Sequence, residues 1–272
     1  MTLKATLTRG LVCALAVWLS GCAQGGAGSN VSAHGDVHAD FLTESDETPN
    51  QRRSRIRFEL ALAYFQQGQT RIALDEIKQS IAIDSANADA YNLRGLAYQR
   101  LNDLPLASES FQRALDVNPL DADAAHNYAW LLCQQAQYDV SEKFFAQAID
   151  NPTYANAAKS WMVQGLCQLR SGQTVGAEIS FSRSYKLDPG NPVTAYNLAQ
   201  LLFDRGDLRP AQPYMRKLNK GPLANAESLW LGIKIEHLLR NPEAVAELAV
   251  QLRGRFAESS ELIAYEKGAF LD

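Results

Sequence analysis

The chain has 272 residues, 46% hydrophobic and 21% charged, with 26 Lys and Arg against 30 Asp and Glu for a formal charge of −4. It has no basic cluster and no basic–aromatic interleaving of the kind that marks a nucleic-acid surface. It also lacks His-Glu-x-x-His, Cys-x-x-Cys and a phosphate-binding glycine loop, so no cofactor, metal, small-molecule substrate or enzymatic activity is expected.

Residues 1–21 have the pattern of a secretory signal. Lys4 and Arg9 provide a positive start, and the apolar stretch Leu11–Leu19 is too short to span a bilayer comfortably. The stretch ends in Leu19-Ser20-Gly21-Cys22, which resembles the lipobox of bacterial lipoproteins. That resemblance implies that the Cys22 thiol carries a diacylglyceryl group and becomes the new N-terminus, with palmitate-type acyl chains as its membrane contact. Two or more chains anchor stably where one does not. Ala23 stands where an Asp would signal inner-membrane retention, so the lipoprotein pattern implies the outer membrane, with the rest of the chain in the periplasm. Loss of the signal removes Lys4 and Arg9, leaving 24 basic against 30 acidic residues, or −6. Residues 22–50 are rich in Gly, Ser, Asn, Asp and Glu and are expected to form a flexible tether with a reach of roughly 30 Å. His34 and His38 fall in it and are taken as solvated linker residues.

From residue 51 onward a small residue returns about every 34 positions: Ala61, Gly95, Ala129, Gly165, Ala199 and Gly232. The fullest copy, Ala88–Asp121, sets Tyr91, Gly95 and Tyr98 on one stripe, follows with Ala107 and Phe111, and closes at Pro119. This resembles the tetratricopeptide repeat, with Arg94 as a departure. Two antiparallel helices approach closely only where both present small side chains, and Gly95 and Ala107 meet that need. The expected fold is an all-α, right-handed solenoid of about six helical hairpins over residues 51–272. The repeats are 54–87, 88–121, 122–157, 158–191, 192–224 and 225–258, with two extra residues near Asn156. A short capping helix is expected in Glu261–Phe270. The second helix of the fifth repeat is doubtful, because Pro210 and Pro213 both fall near its start.

Cys13 leaves with the signal and Cys22 is assigned to lipid, which leaves Cys133 and Cys167. They lie on the first helices of consecutive repeats, within reach of a disulfide, and two buried thiols are the alternative. His126 and His237 have no evident triad partner. Carboxylates such as Asp84, Asp116 and Asp188 fall at repeat ends, where solvated faces are expected.

In tetratricopeptide stacks the first helices line the concave surface. The repeat phase then assigns to that surface Phe58, Leu62 and Phe65, followed by Asn92 and Leu96, His126 and Trp130, Met162 and Leu166, and Tyr196. Several are large and apolar, as a groove for an extended segment or amphipathic helix requires. Inter-repeat packing is the competing role for each. Phe58 and Phe65 are the strongest candidates, since the first repeat lacks a neighbour on one side. Three stretches narrow the match: 127–135 (Asn-Tyr-Ala-Trp-Leu-Leu-Cys-Gln-Gln), 148–154 leading to Gly165-Leu166-Cys167, and 227–236 (Glu-Ser-Leu-Trp-Leu-Gly-Ile-Lys-Ile-Glu). With the lipobox, they resemble the PilW/PilF family of type IV pilus biogenesis lipoproteins over roughly residues 50–260. The resemblance implies an outer-membrane pilotin that binds the pilus secretin subunit and supports its localisation and multimerisation, and hence pilus biogenesis and twitching motility. A periplasmic scaffold for another envelope assembly, such as cell-wall synthesis, is the alternative.

Overall fold

The computed structural model describes residues 46–270. The signal, Cys22, His34, His38 and nearly all of the expected tether lie outside the described residues. Among these residues there are thirteen helices and no strand. They pair as α1 (Pro49–Gln66) with α2 (Thr70–Ile83), α3 (Ala88–Arg100) with α4 (Leu104–Val117), and α5 (Ala122–Gln134) with α6 (Tyr138–Ile149). Next come α7 (Ala157–Arg170) with α8 (Thr174–Leu187), α9 (Pro192–Asp204) with α10 (Leu208–Asn219), and α11 (Ala226–Leu238) with α12 (Pro242–Arg255). The short α13 (Ser260–Glu266) follows.

One pairing rule builds each hairpin. The recurring small residue on the first helix faces a large one sixteen positions later on the second: Ala61 with Ile77, Gly95 with Phe111, Ala129 with Phe145, Gly165 with Phe181, and Ala199 with Met215. These five large side chains are at most 1% exposed. At Gly95 a β-carbon would come within 2.5 Å of the Phe111 ring, so the ring occupies the space the glycine leaves. The turn inside each hairpin needs one residue in the left-handed region. Gly68, Gly172 and Gly206 supply it without strain, whereas Asn102, Ala136 and Arg240 adopt φ near +60°. Asn87, Asp121, Asn191 and Asn225 cap the starts of α3, α5, α9 and α11 through their side chains.

Three details differ from expectation. The first helix starts at Pro49, five residues before the first repeat unit, because Thr48 and Gln51 form a reciprocal capping box and Pro49 sits in the first turn. The doubtful second helix of the fifth repeat is present as α10. Pro210 is third in that helix, where its missing N–H has no intrahelical partner to lose. Pro213 lies deeper and costs the helix one bond, to the exposed Arg209. Burial of Ala211, Met215 and Leu218 against α9 and α11 offsets that loss. Finally, the end of the stack is closed by α13 together with the chain after it. Leu262 packs on Leu229, Ile233, Ala249 and Leu252, and Phe270 folds back to stack on His237 at 4.0 Å.

Candidate protein-binding groove

First helices pack on one another in the pairs α1–α3, α3–α5, α5–α7 and α9–α11. Second helices pack mainly on their hairpin partner and on the first helix that follows. The first helices therefore crowd together on one side of the stack and form its inner face.

Eight residues assigned to this face from sequence — Phe58, Leu62, Phe65, Leu96, Trp130, Met162, Leu166 and Tyr196 — are all half-buried on α1, α3, α5, α7 and α9. Each also rests on the core beneath: Phe58, Leu62 and Phe65 on the first cluster, Trp130 on the Cys133–Phe145 cluster, Leu166 and Tyr196 on the cluster around Phe181 and Met215, and Met162 on both of these last two. Leu96 packs against Phe111 and Leu131. Groove lining and inter-repeat packing are thus both served by the same side chains.

Cations and amides divide the apolar surface. Arg100 places its guanidinium 3.6 Å from the centre of the Phe65 ring and donates to the Phe65 carbonyl at 2.6 Å. Arg170 lies over Trp130 at 4.8 Å, and Lys234 over Phe203 at 4.9 Å. Asn127 donates to Asn92 at 3.0 Å, and Gln99 to Gln134 at 2.7 Å, so side-chain amides bridge successive first helices. Phe203, Trp230 and Lys234 extend the surface beyond Tyr196. The repeat phase supports this extension, since Phe203 stands four residues after Ala199 as Phe65 stands four after Ala61.

His126 is a correction. The repeat phase places it in the groove, but it is only 4% exposed, because Nδ1 hydrogen-bonds Ser160 Oγ at 2.7 Å and its ring meets Phe145 edge-on. Burial, and secondarily the charge of Lys159, pull its pKa down to about 4 against the partial opposition of Asp123. The neutral ring is therefore the folded form. Its contribution to stability is complete above about pH 6.5 and is lost as pH falls from there towards 4. The wild-type protein should lose about 2 kcal/mol through this group between pH 7 and pH 5. Urea titrations at the two pH values should show that loss in the wild type and a much smaller one in His126→Asn; equal losses would assign the pH dependence elsewhere.

Cys133 and Cys167 are joined by a disulfide, with Cα atoms 5.9 Å apart and both residues 2% exposed. The bridge ties α5 to α7 beneath the groove floor.

One carboxylate not singled out from the sequence is buried. Glu236 is 2% exposed and accepts from Arg216 at 2.6 and 3.0 Å, from Gln212 at 2.9 Å and from Asn241 at 2.9 Å. Burial pushes its carboxyl up, but the Arg216 and Gln212 hydrogen bonds with the Arg216 charge outweigh this and hold it below the ordinary carboxylate range. Its register is a partial signal, since of the five residues sharing its phase Phe65, Cys133, Leu169 and Phe203 are apolar and only Gln99 is polar.

A TPR repeat family model matches residues 61–102, and tetratricopeptide repeat models match residues 88–120, 110–139 and 128–192. Over 262 residues the chain is 26% identical to the type IV pilus assembly protein PilF of Pseudomonas aeruginosa, spanning 94% of this chain and 96% of PilF. A solved structure of that PilF shares the fold, with a TM-score of 0.73 at 24% identity, over 81% of this chain and 100% of that one. The crystal structure of PilW, a widely conserved type IV pilus biogenesis factor, is 31% identical with a TM-score of 0.65, over 78% of this chain and 97% of PilW. The chain belongs to the PilW/PilF family of tetratricopeptide-repeat proteins of type IV pilus biogenesis.

Proposed function

We propose that this protein is a lipid-anchored outer-membrane pilotin that holds the type IV pilus secretin subunit in the periplasm, and that it acts by binding alone. The observation that carries the reading is the run of half-buried apolar side chains along the first helices, from Phe58 to Tyr196. Such a surface suits an apolar segment of another polypeptide, and covering that segment keeps it from aggregating in transit. The lipobox ending in Cys22 and the polar stretch behind it supply the second half of the mechanism. Attachment at two points, acyl chains in the bilayer and secretin in the groove, raises the secretin's effective concentration at the membrane and so favours ring assembly.

Phe58→Ala combined with Phe65→Ala should weaken capture of purified secretin roughly thirtyfold, as expected for loss of an aromatic hot spot. Helicity by circular dichroism should be retained. Unchanged capture with intact helicity would remove the first hairpin from the binding surface. Separately, Cys22→Ser should move the protein from the outer-membrane fraction to the soluble periplasm, and continued sedimentation with outer membranes would contradict the acyl anchor.

A further inference from the structure

The hairpin rule fails at the C-terminal end of the stack. Gly232 supplies the small residue, but its partner sixteen positions on is Leu248, which is only half-buried. The position four residues after the large partner is Ile81, Leu115, Ile149, Tyr185 and Leu252 in the other hairpins, and Asn219 in the fifth. Asn219 therefore stands where the other five hairpins carry an apolar residue, and Glu236 where four of the other five do, Gln99 being the exception. The result is a cleft of about 280 Å³ between α10 and α12 against α11. That is far above the ~10–15 Å³ that one water needs.

One acceptor in its lining is unmet, and its rim carries two carboxylates beside the exposed ammonium of Lys220. Asn219 is 3% exposed, and its Nδ2 donates to the Ser228 carbonyl at 2.8 Å, whereas its Oδ1 is buried with no hydrogen-bond partner. A buried acceptor left unmade is destabilising, so a donor that reaches it is favoured. The charge of Arg216 is committed to Glu236, while the carboxylates of Glu243 and Glu247 stand exposed at the rim. Apolar walls come from Met215, Ile235 and Leu248. The cleft thus offers an apolar channel, a lining amide (Asn219) whose carbonyl oxygen is buried and unpaired, and two carboxylates beside Lys220 at the mouth.

We propose that this cleft is a second binding site, one that takes the guanidinium of an arginine side chain carried by a protein partner. The aliphatic stem of arginine matches the apolar wall. Its fork of five N–H donors can give one bond to Asn219 Oδ1 and others to the rim carboxylates, which a compact ammonium cannot do together. The site stands independently of the groove on the first helices.

The test is a ¹⁵N nuclear magnetic resonance titration of the protein with N-acetyl-arginine methylamide, with the lysine, norleucine and glutamate methylamides in parallel, and with agmatine. The arginine compound should give saturable shifts at Gly232, at Gln251 and at the Asn219 side-chain amide, at millimolar concentration, and the norleucine and glutamate compounds should not. Asn219→Leu, which installs the apolar residue type of the other hairpins, should weaken binding at least tenfold. Glu243→Gln with Glu247→Gln alters only exposed positions and should weaken it several-fold. The proposal is overturned by the absence of saturable shifts, by equal response to norleucine or lysine methylamide, or by undiminished binding in both variants. Agmatine binding tenfold tighter than the capped residue would make the site one for a free small cation and overturn the protein-partner assignment.

Discussion

Replacing both cysteines, Cys133→Ala with Cys167→Ala, should lower stability by about 3–4 kcal/mol, and reduction of the wild-type protein should do the same. The bridge spans 34 residues. In the chain-entropy model a loop of that length restricts the unfolded ensemble by roughly this amount. Position increases its importance. A stacked-hairpin protein is close to one-dimensional, so each interface is stabilised only by its two neighbours. The bridge joins α5 to α7 across the one repeat junction that carries two extra residues, between α6 and α7. Gln147 donates to the Pro119 carbonyl and Asn151 to the Leu120 carbonyl near that connection, but these bonds are exposed. Without the covalent tie the stack should divide there. Urea unfolding followed by circular dichroism should change from one transition towards two, with the midpoint of the first shifted down. A variant that keeps a single transition with an unchanged midpoint would make the disulfide incidental to stability.

How far the sequence discloses this molecule depends on which interactions repeat. The hairpins were legible because close helix approach demands a small residue opposite a large one, and that demand recurs with the period. The apolar inner face followed from the same phase. Position within a repeat does not fix burial, however. His126 shares the phase of Phe58, Met162 and Tyr196, yet Ser160 lies one repeat further along and draws its ring into the core by a hydrogen bond. Glu236 failed in the opposite sense. Its residue type suggested solvent, and only the convergence of Arg216, Gln212 and Asn241 from α10 and the α11–α12 turn makes burial tolerable. The prolines of α10 misled for a third reason. Local propensity argues against that helix, and burial of Ala211, Met215 and Leu218 outweighs the bond Pro213 removes. In each case a partner distant in sequence decides, and a single sequence does not name the partner.

The Glu236 network leads to the second large effect. Arg216→Ala should cost about 3 kcal/mol at neutral pH, since it leaves a buried carboxylate without its counter-charge. The value belongs at the low end for buried pairs because the Arg216 side chain is 48% exposed while that of Glu236 is 2% exposed. The sign of the pH dependence separates this mechanism from simple loss of packing. In the wild type the Glu236 carboxyl is held low, so its stabilisation is present above the ordinary carboxylate range and is lost as pH falls below it. Without Arg216 burial dominates and the carboxyl rises, so lowering the pH protonates it and removes the unpaired charge. The difference between variant and wild type should therefore shrink steadily from pH 7 to pH 4.5. Arg216→Lys should recover only part of the loss, because an ammonium cannot reproduce the two-bond fork. Arg216→Met with Glu236→Leu should recover most of it, since no buried charge then remains. Hydrogen exchange gives the local readout, with faster exchange in α11, α12 and α13 and little change in α1–α4, because a terminal hairpin of a stack opens without its distant neighbours. A deficit independent of pH, or exchange that quickens along the whole chain, would show that Arg216 acts through something other than the charge it neutralises.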